Sequence, residues 1–175
     1  MPPKVMNPTK ELKNIRMVIK GDTTKWLKKV KTLVDNGADP HVLDDYKGNG
    51  SIICEYLKSD IDEESLCKIC KFLFDQGLTP TSQIFVDCLY SNHLNVADIV
   101  LLAARNANIT IDVNKLDMYG IAVHEWTALA LIKKKAGSLQ YDIVKYLKSK
   151  GLNTSTKNFS IDDIMNIINS TKNTF

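Results

Sequence analysis

Apolar residues recur along this chain at spacings of three and four, and four of these runs end alike. The segments 31–37, 71–77, 100–106 and 145–151 read KTLVDNG, KFLFDQG, VLLAARN and KYLKSKG. Four positions before the last residue of each stands Leu33, Leu73, Leu102 or Leu147, and seven before it Val30, Cys70, Ile99 or Val144. Such spacing places both positions on one helical face. The final residue is Gly37, Gly77, Asn106 or Gly151, types that tolerate the left-handed backbone ending a helix. These ends lie 40, 29 and 45 residues apart, about 38 on average, the interval of a helical repeat with insertions in its loops.

The pattern predicts an all-α fold of about four helix pairs. First helices are expected over 9–19, 51–57, 82–90 and 122–134, and second helices over 24–36, 63–75, 96–105 and 141–150. Ile161, Ile164, Ile167 and Ile168 keep helical spacing behind Ser160, predicting a terminal cap helix over 160–170. Trp26 shares a face with Val30 and Leu33 and is expected in the core. The run 109–113 alternates apolar and polar residues but falls where a connecting loop is expected. The whole is expected to form one domain, 1–175, with units at roughly 9–40, 48–80, 81–110 and 118–154.

Composition fits this picture. Of 175 residues, 44% are hydrophobic and 25% charged, near the globular average and unlike a disordered tail. Nothing approaches the roughly 20 uncharged apolar residues of a membrane span, and the first residues lack the apolar run of a signal peptide. Net charge is +3, with Asp and Glu mixed among the lysines, so neither a nucleic-acid nor a membrane partner is expected. Cys54, Cys67, Cys70 and Cys88 are expected as reduced structural thiols. Cys67 and Cys70 have zinc-like spacing but lie within a predicted helix, with no second pair to complete a site.

Residues 33–40, LVDNGADP, resemble the ankyrin signature in which a helix ends in Leu-Leu and then Gly-Ala-Asp; Asn106 to Ile109 is similar, with Asn for Gly. Residues 112–120, DVNKLDMYG, resemble the ankyrin finger before a first helix, and Val123-His124 resembles the Leu-His of the family's Thr-Pro-Leu-His turn. Residues 46–57 are a weaker copy. The likeness covers roughly residues 24–158. The irregular repeats, rich in Lys, Asn and Ile, are similar to the divergent ankyrin proteins of poxviruses, in a short form without an F-box-like segment after the last repeat. Short viral ankyrin proteins similar to the inhibitors that sequester NF-κB are a further comparison.

The resemblance implies a non-catalytic solenoid that binds a host protein through a concave groove and projecting fingers. It implies a monomer in the host cytoplasm, with the nucleus as alternative, that masks or redirects a protein of innate-immune or cell-death signalling. A second possibility is an adaptor fragment of a ubiquitin-ligase-linked ankyrin assembly. Candidate partner-binding residues are Asp44, Asp45, Tyr46 and Lys47 on a first finger, Lys115, Met118 and Tyr119 on a second, and Glu125 and Trp126 on the fourth first helix. The link Leu78 to Thr81 is too short for a full finger, predicting a notch in the rim. His124 is expected to brace its own turn. Lys133 to Lys135 are read as a solvated helix end. No catalytic residue, cofactor or metal is expected: no phosphate-binding loop, nucleophile elbow or paired metal-binding helix motif occurs.

Overall fold

The structure, a computed structural model, describes residues 7–14, 24–41, 51–118, 121–123 and 139–153. It is mostly helical, as the apolar spacing predicts. The chain divides into two compact units, Met1–Ile111 and Asp112–Phe175, where the sequence pattern had suggested one domain.

In the first unit, helix α1 (Pro8–Lys13) starts at Asn7, whose side chain accepts from the Thr9 and Lys10 amides, with Pro8 preset for the first turn. Helix α2 (Thr24–Asp35) buries Trp26, Val30 and Leu33 as one stripe. Helix α3 (Ile52–Leu57) is capped by Ser51 and buries five of its six residues, so it shows no amphipathic pattern. Helix α4 (Glu63–Asp75) is capped by Asp62, carries Glu63 and Glu64 in its first turn, and buries Leu66, Ile69, Cys70 and Leu73. Helix α5 (Ser82–Tyr90) is capped by Thr81 and buries Ile84, Phe85, Val86, Cys88 and Leu89. Helix α6 (Leu94–Asn106) buries Val96, Ala97, Val100 and Ala104.

These helices pack in two rows. The second helices of each pair meet in the order α2, α4, α6, while α3 packs on α5; α1 lies on α2, α3 on α4, and α5 on α6. The Asp39 amide donates to Thr9 Oγ1 at 3.0 Å, so the end of α2 meets the start of α1 and the two run antiparallel. Tyr56 joins the first pair to the second: its hydroxyl donates to the Leu12 carbonyl at 3.1 Å, and its ring meets Trp26 edge-on with centroids 6.2 Å apart. Trp26 is thus a core residue, 4% exposed.

The helix ends repeat one backbone motif. The Gly37 amide donates to the Val34 carbonyl and the Ala38 amide to Leu33; Gly77 and Leu78 repeat this with Phe74 and Leu73, and Gly151 and Leu152 with Lys148 and Leu147. This pair of hydrogen bonds, closed by one residue in the left-handed region, satisfies carbonyls that a helix end would leave bare. The third copy differs from expectation. Its left-handed residue is Asn108 (φ 56°), not Asn106, and its bonds run from Asn108 to Arg105 and from Ile109 to Ala104. The core position four residues back is therefore Ala104, 2% exposed, whereas Leu102, expected inside, is 56% exposed. Asn92 (φ 58°) ends α5 in the same way, with Asn92 and His93 donating to Leu89 and Cys88.

In the second unit a two-residue ladder pairs β1 (Asp117–Met118) antiparallel with β2 (Ile121–Ala122). Ala122, expected to open a helix, instead closes this ladder, and Val123 is the first helical residue; residues 124–134 of that expected helix lie outside the described residues, as does the cap helix over 160–170. Helix α7 (Leu139–Ser149) buries Ile143, Val144 and Leu147.

Candidate functional site

Residues 111–118 of the expected finger form a short, tied-down loop. Asp112 Oδ1 accepts from the Asn114 amide at 2.9 Å and the Asp112 carbonyl from the Lys115 amide at 3.0 Å, so the aspartate turns the chain by local bonding. Val113, Leu116 and Val123 are buried, and the Val123 amide donates to the Leu116 carbonyl. Asn114 fixes this base to the end of α7: its Nδ2 donates to the Gly151 carbonyl at 3.3 Å, and its Oδ1 accepts from the Asn153 amide at 2.8 Å. Lys115 stands out from this anchored base, its side chain 84% exposed, with its ammonium 3.7 Å from Asp112. Met118 has its backbone in β1. Asp44, Asp45, Tyr46, Lys47, Tyr119, Glu125 and Trp126 lie outside the described residues, as does His124.

In the first unit the link between α4 and α5 carries no finger. It runs through the bonded pair Gly77 and Leu78 to the buried Pro80 and the capping Thr81.

The row of first helices carries a polar contact that the sequence did not reveal. The Cys54 thiol of α3 donates to Asp87 Oδ2 of α5 at 2.7 Å, and Gln83 Nε2 donates to Asp87 Oδ1 at 3.0 Å. Gln83 and Asp87 stand one turn apart on a helix otherwise almost wholly apolar, which is the signal in the sequence; the partner Cys54, 33 residues earlier, had none. Burial and the adjacent Asp87 carboxylate push the Cys54 thiol up to about 12. Burial drives Cys70 and Cys88 upward as well, and Cys67, the one half-exposed thiol, is raised by burial and by Glu63. A protonated thiol is a poor nucleophile and a poor ligand. Among the described residues no group of three or more His, Cys, Asp or Glu is arranged to hold a metal ion, and no helix is long and apolar enough to cross a membrane.

An open groove of about 420 Å³ lies along the end of α6, lined by Leu101, Ala104, Arg105, Asn108 and residues 109–111. Arg105 is its single ionisable side chain, so this groove offers no acid–base pair.

Charge is less evenly mixed than expected. Helices α1 and α2 carry six lysines against Glu11 and Asp35, and residues 1–35 hold nine Lys and Arg against three Asp and Glu. Residues 36–106 hold five against eleven. No family model and no curated protein matches the chain.

Proposed function

We propose that this chain is an ankyrin-type repeat scaffold that binds another protein and carries out no chemistry. Support comes above all from the recurring helix end at residues 37, 77, 108 and 151: the same pair of backbone bonds, each time reaching back to a buried residue four positions earlier. A unit built this way leaves an apolar side for its neighbour, and stacked units present a preformed face. Preformed surfaces lose little entropy on binding. The loop at 112–123, fastened at its base and bearing an exposed Lys115, is suited to reach a partner.

The partner-binding set under this proposal is Asp44 to Lys47, Lys115, Met118, Tyr119, Glu125 and Trp126, joined by Gln83 of the first-helix row. By resemblance alone, the partner is a host signalling protein and the setting the host cytoplasm or nucleus. The gap left by the short link at 78–81 is where a partner's side chain would enter.

The test is a complex with one purified host protein, identified by capture with the full chain and then reconstituted. Shortening the Tyr46 and Tyr119 loops together abolishes it if the fingers bind. A complex that survives that double truncation, with helicity intact, removes the finger assignment.

A further inference from the structure

The groove at the end of α6 takes no part in the face proposed above. One of its walls is residues 109–111, which follow the left-handed Asn108 and belong to neither a helix nor the ladder. Ile109, Thr110 and Ile111 are three β-branched residues in a row, the composition of a strand. Thr110 is exposed, and Ile109 and Ile111 are half-buried. The Ile109 amide closes the α6 end by donating to the Ala104 carbonyl at 2.8 Å. Beyond it, among the described residues, no backbone hydrogen bond reaches the amide or the carbonyl of Thr110 or Ile111. Strand residues with unpaired backbone groups form an open edge that can template a further strand.

The other wall is α6 itself, with half-buried Leu101, buried Ala104 and exposed Arg105. Arg105 enters none of the described ion pairs. It stands in the last turn of α6, where a helix end carries roughly half a negative charge. The guanidinium carries a full positive charge and a fork of donors, so the groove keeps a net cationic point. Backbone edge, apolar wall and cation thus meet in one groove of about 420 Å³.

We infer that this groove binds an extended segment of another polypeptide. The segment pairs its backbone with residues 110–111, lays apolar side chains against Leu101, Ile109 and Ile111, and offers a carboxylate to Arg105. In strand addition the backbone bonds supply affinity and alternate side chains supply the choice of partner. A helical partner satisfies its own backbone and would leave Thr110 and Ile111 bare. A small anion would use Arg105 alone. The edge of a second copy, residues 105–111, holds no carboxylate to set against Arg105.

Neither finger loop is needed for this binding, and one experiment separates the two. The probe is a fluorescein-labelled heptapeptide of alternating valine and threonine, with one threonine replaced by glutamate. It is titrated with the full chain and followed by anisotropy, and amide exchange is read residue by residue by NMR. Saturable binding is expected, with exchange at Thr110 or Ile111 slowed at least about tenfold. Arg105→Glu is expected to weaken binding roughly tenfold, whereas Lys28→Glu, an equal charge change on an exposed position of α2, leaves it within about twofold. Circular dichroism checks that both variants fold. The same peptide with an N-methylated backbone is expected not to bind. Absence of saturable binding overturns the inference, as does equal loss in Lys28→Glu. Undiminished binding of the N-methylated peptide also overturns it, since apolar contact alone would then hold the probe. So does concentration-dependent protection of Thr110 and Ile111 without peptide, which would give the edge to a second copy. Shortening the Tyr46 and Tyr119 loops together is expected to leave peptide binding in place; a loss on that change overturns the inference by placing the peptide on the fingers.

Discussion

Glu63, the first residue of α4, accepts a hydrogen bond through Oε1 from the Asn95 amide in the first turn of α6, at 3.3 Å. Helix α6 has no side-chain cap of its own, since His93 makes no such bond. One second helix therefore caps the next across the row. The carboxylate also opposes the positive end of the α6 dipole.

Removing that carboxylate is expected to loosen the start of α6 and to cost α4 only a dipole contribution, since the α4 cap is Asp62. Glu63→Ala should destabilise the chain by about 0.5–1 kcal/mol, with Glu63→Gln losing the charge contribution alone. Urea denaturation at low and high salt checks this. The loss in Glu63→Gln should shrink as salt rises; a salt-independent loss would place the effect in packing.

The corrected end of α6 separates two asparagines that the sequence does not. Asn108 has φ 56°, a torsion costing most residues about 1–2 kcal/mol, while Asn106 closes an ordinary helical turn. Asn108→Ala should lower stability by about 1 kcal/mol and Asn108→Gly should not lower it, whereas Asn106→Ala should change it by under about 0.5 kcal/mol. At Gly77 (φ 93°) an added Cβ meets nothing within 4 Å, so the cost of Gly77→Ala is torsional, again about 1 kcal/mol. Midpoints of thermal unfolding for the four variants test the assignment.

Leu102 and Leu73 look equivalent in the repeat pattern but differ in the fold. Leu73 is fully buried and Leu102 is 56% exposed. Leu73→Ala should cost about 2–5 kcal/mol, and Leu102→Lys should stay within about 0.5 kcal/mol of the parent. Chemical denaturation of both decides it; a large loss at Leu102 would mean that this side chain is covered.

The thiols set an alkaline limit. In the unfolded chain cysteine titrates near its ordinary 9.0, while Cys54 in the fold is held up to about 12, with Cys70, Cys88 and the Tyr56 hydroxyl also raised by burial. Above about pH 9 the unfolded chain releases protons that the folded chain retains, so stability is full below that pH and falls as pH rises toward 12. The denaturation midpoint should drop steadily over that window, and less steeply in Cys54→Ala. At neutral pH, iodoacetamide should label Cys67 first, because the other three are buried. Early labelling of Cys54, read by peptide mass spectrometry, would contradict its bond to Asp87.

Much of the architecture was legible because its signals are local. Helices α4 and α5 occupy the spans expected of them, since Asp62 and Thr81 announce their starts and the apolar stripe fixes their faces. Helix α6 begins two residues earlier than its pattern suggests, because its cap comes from Glu63 on another helix. The end of α6 was misplaced because Leu102 echoes Leu33 and Leu73 in sequence while Ala104 takes their place in space. Ala122 looked helical from the residues after it, but its pairing with Asp117 decides its conformation. At the site, the loop beginning at Asp112 was expected from the resemblance of residues 112–120 to an ankyrin finger. Its anchorage through Asn114 to residues 151 and 153 was not, because no spacing rule links residues so far apart. The link between Cys54 and Asp87 was hidden for the same reason.

The passage from α4 to α5 has a mechanical consequence. Five of its six residues are spoken for: three by the helix-ending bonds of Gln76, Gly77 and Leu78, one by a buried proline ring, one by the cap of the next helix. Such a joint has almost no slack, so the second and third helix pairs behave as a single stiff lever, and an inserted residue there would have to break a bond instead of lengthening a loop.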